Sequence, residues 1–335
     1  MSNYNRNSGF GQAIMARLHT AVPAMGRVFV VCDPDDTANE SYQYLQDLMD
    51  YDSNGAVRFF TTLDGAYDAT TTNCNDVILI DCDSTHTLTE KLTVSKNRIH
   101  FFGMDGVNGR AQGQRAKVTI GGSTATDTAA IEVTGVGCSF HNMKISSSNT
   151  STSALWAFAD GGEFTYCENC HFVREGVVTT TTAADILLNG DSSQYVNCMF
   201  GYSSVAITAN GNRPCVDLKR EQITGKVCRD CILDDCIFMR RGNDSDNSFI
   251  YSAGATDVER MLLIRRPIFW QDALATANMD ECVSGAASLT NGSILIVDPA
   301  ATGTPAAIST TTGVFVEGYT PDATGAAAGI AIQCA

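Results

Sequence analysis

Proline is scarce, with seven in 335 residues, tryptophan occurs twice, and the 22 Lys and Arg are outnumbered by 37 Asp and Glu. With 44% apolar residues and so little proline, the chain is not a disordered or low-complexity one. The formal charge of −15 excludes a surface built to coat phosphate backbones, since that affinity comes from Lys and Arg, so nucleic acid is not an expected partner. Long apolar runs are absent too: candidates such as Val28 to Cys32 and Val77 to Ile80 fall far short of the roughly 18 residues of a membrane span. No membrane partner is expected. The first 25 residues carry Arg6, Arg17 and polar Asn and Ser without the apolar core of a signal peptide, so the expectation is a protein kept in the cytoplasm or leaving it without a signal. Cysteine, by contrast, is plentiful. Thirteen is an odd number in a long chain, which fits buried free thiols rather than a disulfide scaffold.

Charge is unevenly placed. Residues 33 to 83 hold twelve acids against Arg58 alone, while the first 32 residues hold Arg6, Arg17 and Arg27 and no acid. A basic arm over residues 1–25 thus precedes an acidic segment. From Gly26 the pattern is regular: Val28–Val31 reads as a strand, Ser41–Met49 as a short helix, Ala56–Phe60 as a strand, and Thr62–Ala69 as a helix with a Thr cap. Residues 26–72 are expected to form a small α/β cap, followed by the strand Asp76–Asp81.

Beyond residue 130 short strands recur between Gly, Asn, Asp and Thr turns, with no long amphipathic helix. An internal repeat organises them. Cys138-Ser139-Phe140, Cys170-His171-Phe172, Cys198-Met199-Phe200 and Cys236-Ile237-Phe238 share Cys-x-Phe at spacings of 32, 28 and 38 residues, and Asn169, Asn197 and Asp235 directly precede three of them. Residues two apart in a strand face the same way, so each Cys and Phe should stack in ladders. Three short strands per period describe a parallel β-helix, which the crossover rule makes right-handed. The expected architecture is mainly β: a right-handed, single-stranded parallel β-helix over residues 73–298, with Ser293–Val297 as its last rung and residues 299–335 as a tail or cap.

The run Thr62-Leu63-Asp64-Gly65-Ala66-Tyr67-Asp68-Ala69, then Asp76-Val77-Ile78-Leu79-Ile80, Leu92-Thr93-Val94 and Ile99-His100-Phe101-Phe102-Gly103-Met104-Asp105-Gly106, resembles the opening of the pectin-lyase-like right-handed β-helix superfamily. Preceded by Gly26–Val31 and Asn54–Leu63, it resembles the β-helical virion structural proteins of tailed bacteriophages that decorate heads or form spikes. The resemblance implies a capsid decoration (cement) protein located in the virion, with the major capsid protein as partner, docking candidates Arg6, Arg17 and Arg27, and a homotrimeric state. The alternative it leaves open is a tailspike or receptor-binding protein that binds or cleaves host polysaccharide.

Candidate chemistry is thin. Polysaccharide hydrolysis needs a carboxylate pair about one sugar and lyases need Asp-bound Ca²⁺ beside a cation, but the adjacent pair Asp234-Asp235 should face opposite ways in a strand unless a turn bends it. The Gly-His-Gly and Asn-Thr-Asp signatures of pectin hydrolases are missing. Asp160, Glu163, Asp185 and Asp191 could converge from neighbouring rungs, with solvated turn acids as the plainer reading. Cys167-x-x-Cys170 and Cys228-x-x-Cys231, with Cys236, have zinc spacing but lie two coils apart, and Cys170 belongs to the ladder. Gly103, Gly106 and Gly109 read as a turn, Cys32-Asp33-Pro34-Asp35-Asp36 as a solvated turn, the five histidines as structural, and Trp156 and Trp270 as packing residues. The expectation is no catalytic residue, metal or cofactor.

Overall fold

The computed structural model describes residues 26–32, 57–82, 84–104, 116–121, 128–148, 154–175, 183–207, 213–242, 247–272, 279–302, 307–317 and 328–330. The expected helix Ser41–Met49 lies outside them, as do Arg6 and Arg17.

The chain winds as a right-handed parallel β-helix with three parallel sheets of twelve, eight and seven strands. Each turn visits the twelve-stranded sheet, then the eight-stranded, then the seven-stranded one, and seven complete turns run from Asp76–Ile80 to Val283–Gly285 among the described residues. Parallel pairing at matched register puts like positions above one another. In the eight-stranded sheet Val118, Ile145, Phe172, Phe200, Phe238 and Phe269 form one inward row. The Phe172–Phe200 and Phe200–Phe238 centroids lie 5.5 and 5.1 Å apart, with rings inclined by 14° and 16°. Such stacked pairs add about 0.5–1.5 kcal/mol each beyond burial.

One expected copy of the repeat sits elsewhere. Cys138 and Phe140 belong to the twelve-stranded sheet, where Phe140 is in register with Phe101 and Cys167, whereas Cys170, Cys198 and Cys236 introduce strands of the eight-stranded sheet. The true ladder mates of Cys170 and Phe172 are Met143 and Ile145. The reason is the corner between the two sheets, made by a single left-handed residue: Asn142 (φ 54°), Asn169 (53°), Asn197 (52°), Asp235 (52°), Arg266 (49°) and Asp298 (50°). Asn and Asp tolerate this region best among residues with a Cβ. The Nδ2 of Asn169 donates to Asn142 Oδ1 at 3.3 Å, and that of Asn197 donates to Asn169 Oδ1. Cys138 follows Gly137 instead, which lies at a different corner (φ 69°), between the seven- and twelve-stranded sheets. That second corner also carries Arg98, Phe164, Ser192, Asp230 and Arg260 at positive φ.

The ends depart from expectation as well. Val28–Val31 is a strand of the long sheet, paired in parallel with Val77–Ile80 on one side and Phe59–Phe60 on the other. Helix α1 (Leu63–Ala69), whose N-cap Thr62 accepts from the Gly65 amide as expected, closes the first turn by burying Leu63, Ala66 and Tyr67, with Tyr67 stacked over Phe101. At the other end no boundary falls at residue 298: Ala300–Thr302 continues the eight-stranded sheet, and Val314–Glu317 and Ala328–Ile330 extend the long one. Ser293–Val297 is therefore not the last rung. Further along, the strands Val258–Arg265 and Ile268–Gln271 are separated by the corner residue Arg266.

Candidate functional site

The nominated carboxylates do not assemble into one open site. Asp235 occupies a left-handed corner, and the bend turns both members of the adjacent pair toward one cation: Arg266 Nη2 lies 2.7 Å from Asp234 Oδ1 and 2.8 Å from Asp235 Oδ2, with Arg265 Nη2 2.5 Å from Asp234 Oδ2. The Arg266 hydrogen bond holds Asp235 below the usual carboxylate range. Asp160 is fully buried inside the coil and accepts from Gly162 N, Thr165 Oγ1 and Tyr195 Oη at 2.9–3.0 Å, yet burial still pushes its pKa up. Asp185, also buried, pairs with Arg240 at 2.9 Å and accepts from the Arg174 amide. Glu163 and Asp191 do stand on adjacent rungs, in register with each other and with Arg229. Each carries its own cation, Lys226 at 3.3 Å and Arg229 at 3.2 Å.

The cysteines line the interior. Twelve described cysteines are free thiols, ten of them buried. Cys170, Cys198 and Cys236 place their Sγ 3.3–3.5 Å from the carbonyls of Phe140, Cys167 and Tyr195 one turn below, so the thiols serve as small apolar fillers with a weak donor. Burial pushes the Cys138 thiol up to about 11 and those of Cys236 and Cys282 to about 12. A protonated thiol is a poor metal ligand, and no group of three or more His, Cys, Asp or Glu among the described residues is placed to hold a metal ion.

Arg27, nominated for docking, is engaged within the fold. Its Nη2 donates to Asp76 Oδ2 (2.9 Å), Thr71 Oγ1 (2.6 Å) and Ala69 O (3.1 Å), and the guanidinium lies 5.1 Å from the Phe29 ring centroid. Trp156 is buried among Ala129, Ala159, Ala184 and Leu187, whereas Trp270 remains 44% exposed on the outer face of the eight-stranded sheet. Gly103 ends a strand where an added Cβ would lie 2.1 Å from the Asn142 carbonyl oxygen; Gly106, Gly109 and Asp33–Asp36 lie outside the described residues.

Two constellations had no sequence signal strong enough to select them. Asp217, in the outward row of the seven-stranded sheet beside Leu187 and Tyr251, accepts from the Lys219 amide at 2.9 Å, and burial raises its pKa to about 6. Its only mark in sequence is an acid inside the apolar piece Cys215–Leu218. The second lies on the outer face of the twelve-stranded sheet. Register brings His100 beside Ser139, and Phe102 beside His141 and His141 beside Glu168. Ser139 Oγ is 2.8 Å from His100 Nδ1 and 3.0 Å from His141 Nε2, and His141 Nδ1 is 3.4 Å from Glu168 Oε2. Phe102 stacks on the His141 ring at 4.1 Å and 4°, which fixes its plane. The two histidines are 41 residues apart and come together only through strand register, so spacing along the chain could not unite them.

No protein-family model and no curated protein matches the sequence. Among solved structures, pectate lyase Pel9A matches with a TM-score of 0.54 and 13% identity over 88% of this chain and 68% of that one. Pectin methylesterase from Aspergillus niger matches at 0.46 and 12%, covering 76% and 86%. ORF18 of Geobacillus virus E2 matches at 0.37 and 10%, covering 80% and 57%. No helix among the described residues is long and apolar enough to cross a membrane. The stacked parallel sheets and the likeness to Pel9A give this chain the fold of the pectin-lyase-like right-handed parallel β-helices.

Proposed function

We propose that this chain is a structural protein of a bacteriophage virion, a capsid decoration protein that docks as a homotrimer on the major capsid protein through residues 1–25 and the segment that follows. The observation that carries this reading is the commitment of the nominated acids: Asp160, Glu163, Asp185, Asp191, Asp234 and Asp235 are bound into hydrogen bonds and ion pairs that tie the turns of the coil together. Polysaccharide hydrolysis instead needs two carboxyl groups facing one sugar, and a lyase needs carboxylates that hold Ca²⁺ beside a cation. The basic arm ahead of an acidic segment supports docking on a charged lattice, and three-fold positions on a shell suit a cyclic trimer. With Arg27 held by Asp76, the docking charge falls to Arg6 and Arg17. Expanded capsids of the encoding phage, mixed with the full chain, should bind it stoichiometrically in sedimentation, and removal of residues 1–25 should abolish binding. Undiminished binding by the truncated chain overturns the arm's role.

Asp217 favours a second reading, a tailspike that binds or cleaves host polysaccharide. A carboxyl group titrating near pH 6 on an outward sheet face has the proton affinity of a general acid. Release of reducing ends from host capsule or lipopolysaccharide, lost in Asp217→Asn, supports this reading; no product and no binding removes it.

A further inference from the structure

We propose that copies of this chain join through the two outer faces that flank the Asp235–Arg266 corner, the twelve-stranded face of one copy against the eight-stranded face of the next; this rests on the homotrimeric reading above and names its interface. Register builds the first face. Ile232, Leu263, Leu295 and Phe315 stand in one row on four successive turns, about 14 Å long at 4.8 Å a strand. Their chain neighbours Leu233, Ile264, Ile296 and Val316 are buried in the coil, so the row points outward, and each of its members is partly exposed. Across the corner, Ile268 and Trp270 flank the inward Phe269 and stand outward on the eight-stranded sheet, 36% and 44% exposed, with Ile237 in register beside Ile268.

The coil does not require these side chains to be apolar. One to three turns before Ile232 the same row reads Gln194, Tyr166 and Ser139. On the other face the row that reaches Ile237 and Ile268 begins with Lys117, Lys144 and His171. Both faces therefore change from polar to apolar over the same turns and on either side of one corner. Adjoining apolar rows on a water-facing surface mark a contact with another molecule.

Charge and shape select a second copy as that molecule. The chain carries −15, and residues 33–83 alone hold twelve acids against one Arg, so a cationic partner is drawn there. In and beside the corner, Asp234, Asp235, Asp298 and Glu317 stand against Arg265 and Arg266, a net −2, and the two arginines are paired with Asp234 and Asp235 within the chain. Two acidic chains approach with least repulsion at such a surface. Side chains repeating at the strand spacing interlock best with a surface of the same repeat, which another turn of this coil provides. The two faces differ, so the contact is heterologous, and three of them close a ring about an axis along the corner. Trp270 is its aromatic anchor.

Sedimentation equilibrium of the full chain at micromolar concentration should give three chains per particle. Trp270→Lys and Leu263→Lys alter outward residues, so each should keep the parent circular dichroism while raising the half-dissociation concentration at least ~30-fold. In a Cys74→Ser, Cys82→Ser, Cys334→Ser background, Leu263→Cys chains mixed with Ile268→Cys chains should form a disulfide-linked pair on oxidation, and neither variant should link to itself. A monomeric parent, unchanged assembly in both lysine variants, or self-linking of either cysteine variant overturns the proposal. Capsid sedimentation is read separately: a monomeric parent that still binds capsids overturns the contact and leaves the decoration role standing, whereas a cross-linking trimer that ignores capsids fails the decoration role alone.

Discussion

Asn169 stands in the middle of the left-handed corner column, and two effects can be separated there. Its φ of 53° puts a Cβ-bearing residue in the left-handed region, which costs an ordinary residue roughly 1–2 kcal/mol and Asn less. Its side-chain amide also donates to Asn142 and accepts from Asn197, two bonds in buried surroundings worth about 1 kcal/mol each. Asn169→Gly removes the bonds and keeps the backbone at ease, for an expected loss of about 2 kcal/mol. Asn169→Ala removes the bonds and adds the strain, for about 3 kcal/mol. Asn169→Asp keeps an acceptor for Asn197 but sets a carboxylate oxygen against Asn142 Oδ1, so it should fall between the two and recover below pH 4 as the acid gains a proton. Urea denaturation followed by circular dichroism, at a common slope, reads all three. If the alanine variant is as stable as the glycine variant, backbone strain does not set this corner and the explanation of why Asn precedes the ladder cysteines fails.

Phe200→Ala, which empties a site between Phe172 and Phe238, should cost about 3–5 kcal/mol in the same assay, whereas Phe164→Ser, at a residue 61% exposed, should stay within about 1 kcal/mol. Among the twelve described thiols, Ellman's reagent should find Cys74 at once and Cys82 more slowly; rapid titration of a third described cysteine in the folded state would contradict the buried stack. Stability should fall on acidification between pH 6.5 and 4. Burial depresses His100 and His171 to about 4, so the unfolded chain takes up protons first and each ring withdraws up to roughly 3 kcal/mol as pH drops through that window. Asp217, raised to about 6, works in the opposite sense by favouring the folded state as it protonates, so Asp217→Asn should make the acid loss steeper.

Most of the coil was legible in the sequence because its determinants are local. A three-strand period, a Cys-x-Phe mark and an Asn or Asp before it report one strand, one inward face and one corner, and register then stacks them. The misassigned copy shows what the mark alone lacks. Cys-x-Phe specifies an inward-facing pair in any sheet, and only the preceding residue says which corner has been turned; Gly137 in place of Asn was the available signal that Cys138 belongs to another sheet. The second corner column stayed hidden for the complementary reason. Arg98, Phe164, Ser192, Asp230 and Arg260 share a backbone conformation without sharing a side-chain chemistry, and no side-chain ladder like that of Asn142, Asn169 and Asn197 links them.

The same distinction governs the candidate site. His100, Ser139, His141 and Glu168 come from three successive rungs, and their hydrogen bonds depend on a register that no single segment encodes. A β-helix makes such encounters cheap, since every outward position meets the same position of the turns above and below at about 4.8 Å. Several of those meetings here are ion pairs or stacked rings: Asp191 with Arg229, Arg229 with Glu259, Phe102 with His141. They tie turn to turn along the outside as the phenylalanines do within. The Ser139 cluster adds to them a continuous polar chain across three turns, from Asn75 through His100, Ser139 and His141 to the Glu168 carboxylate.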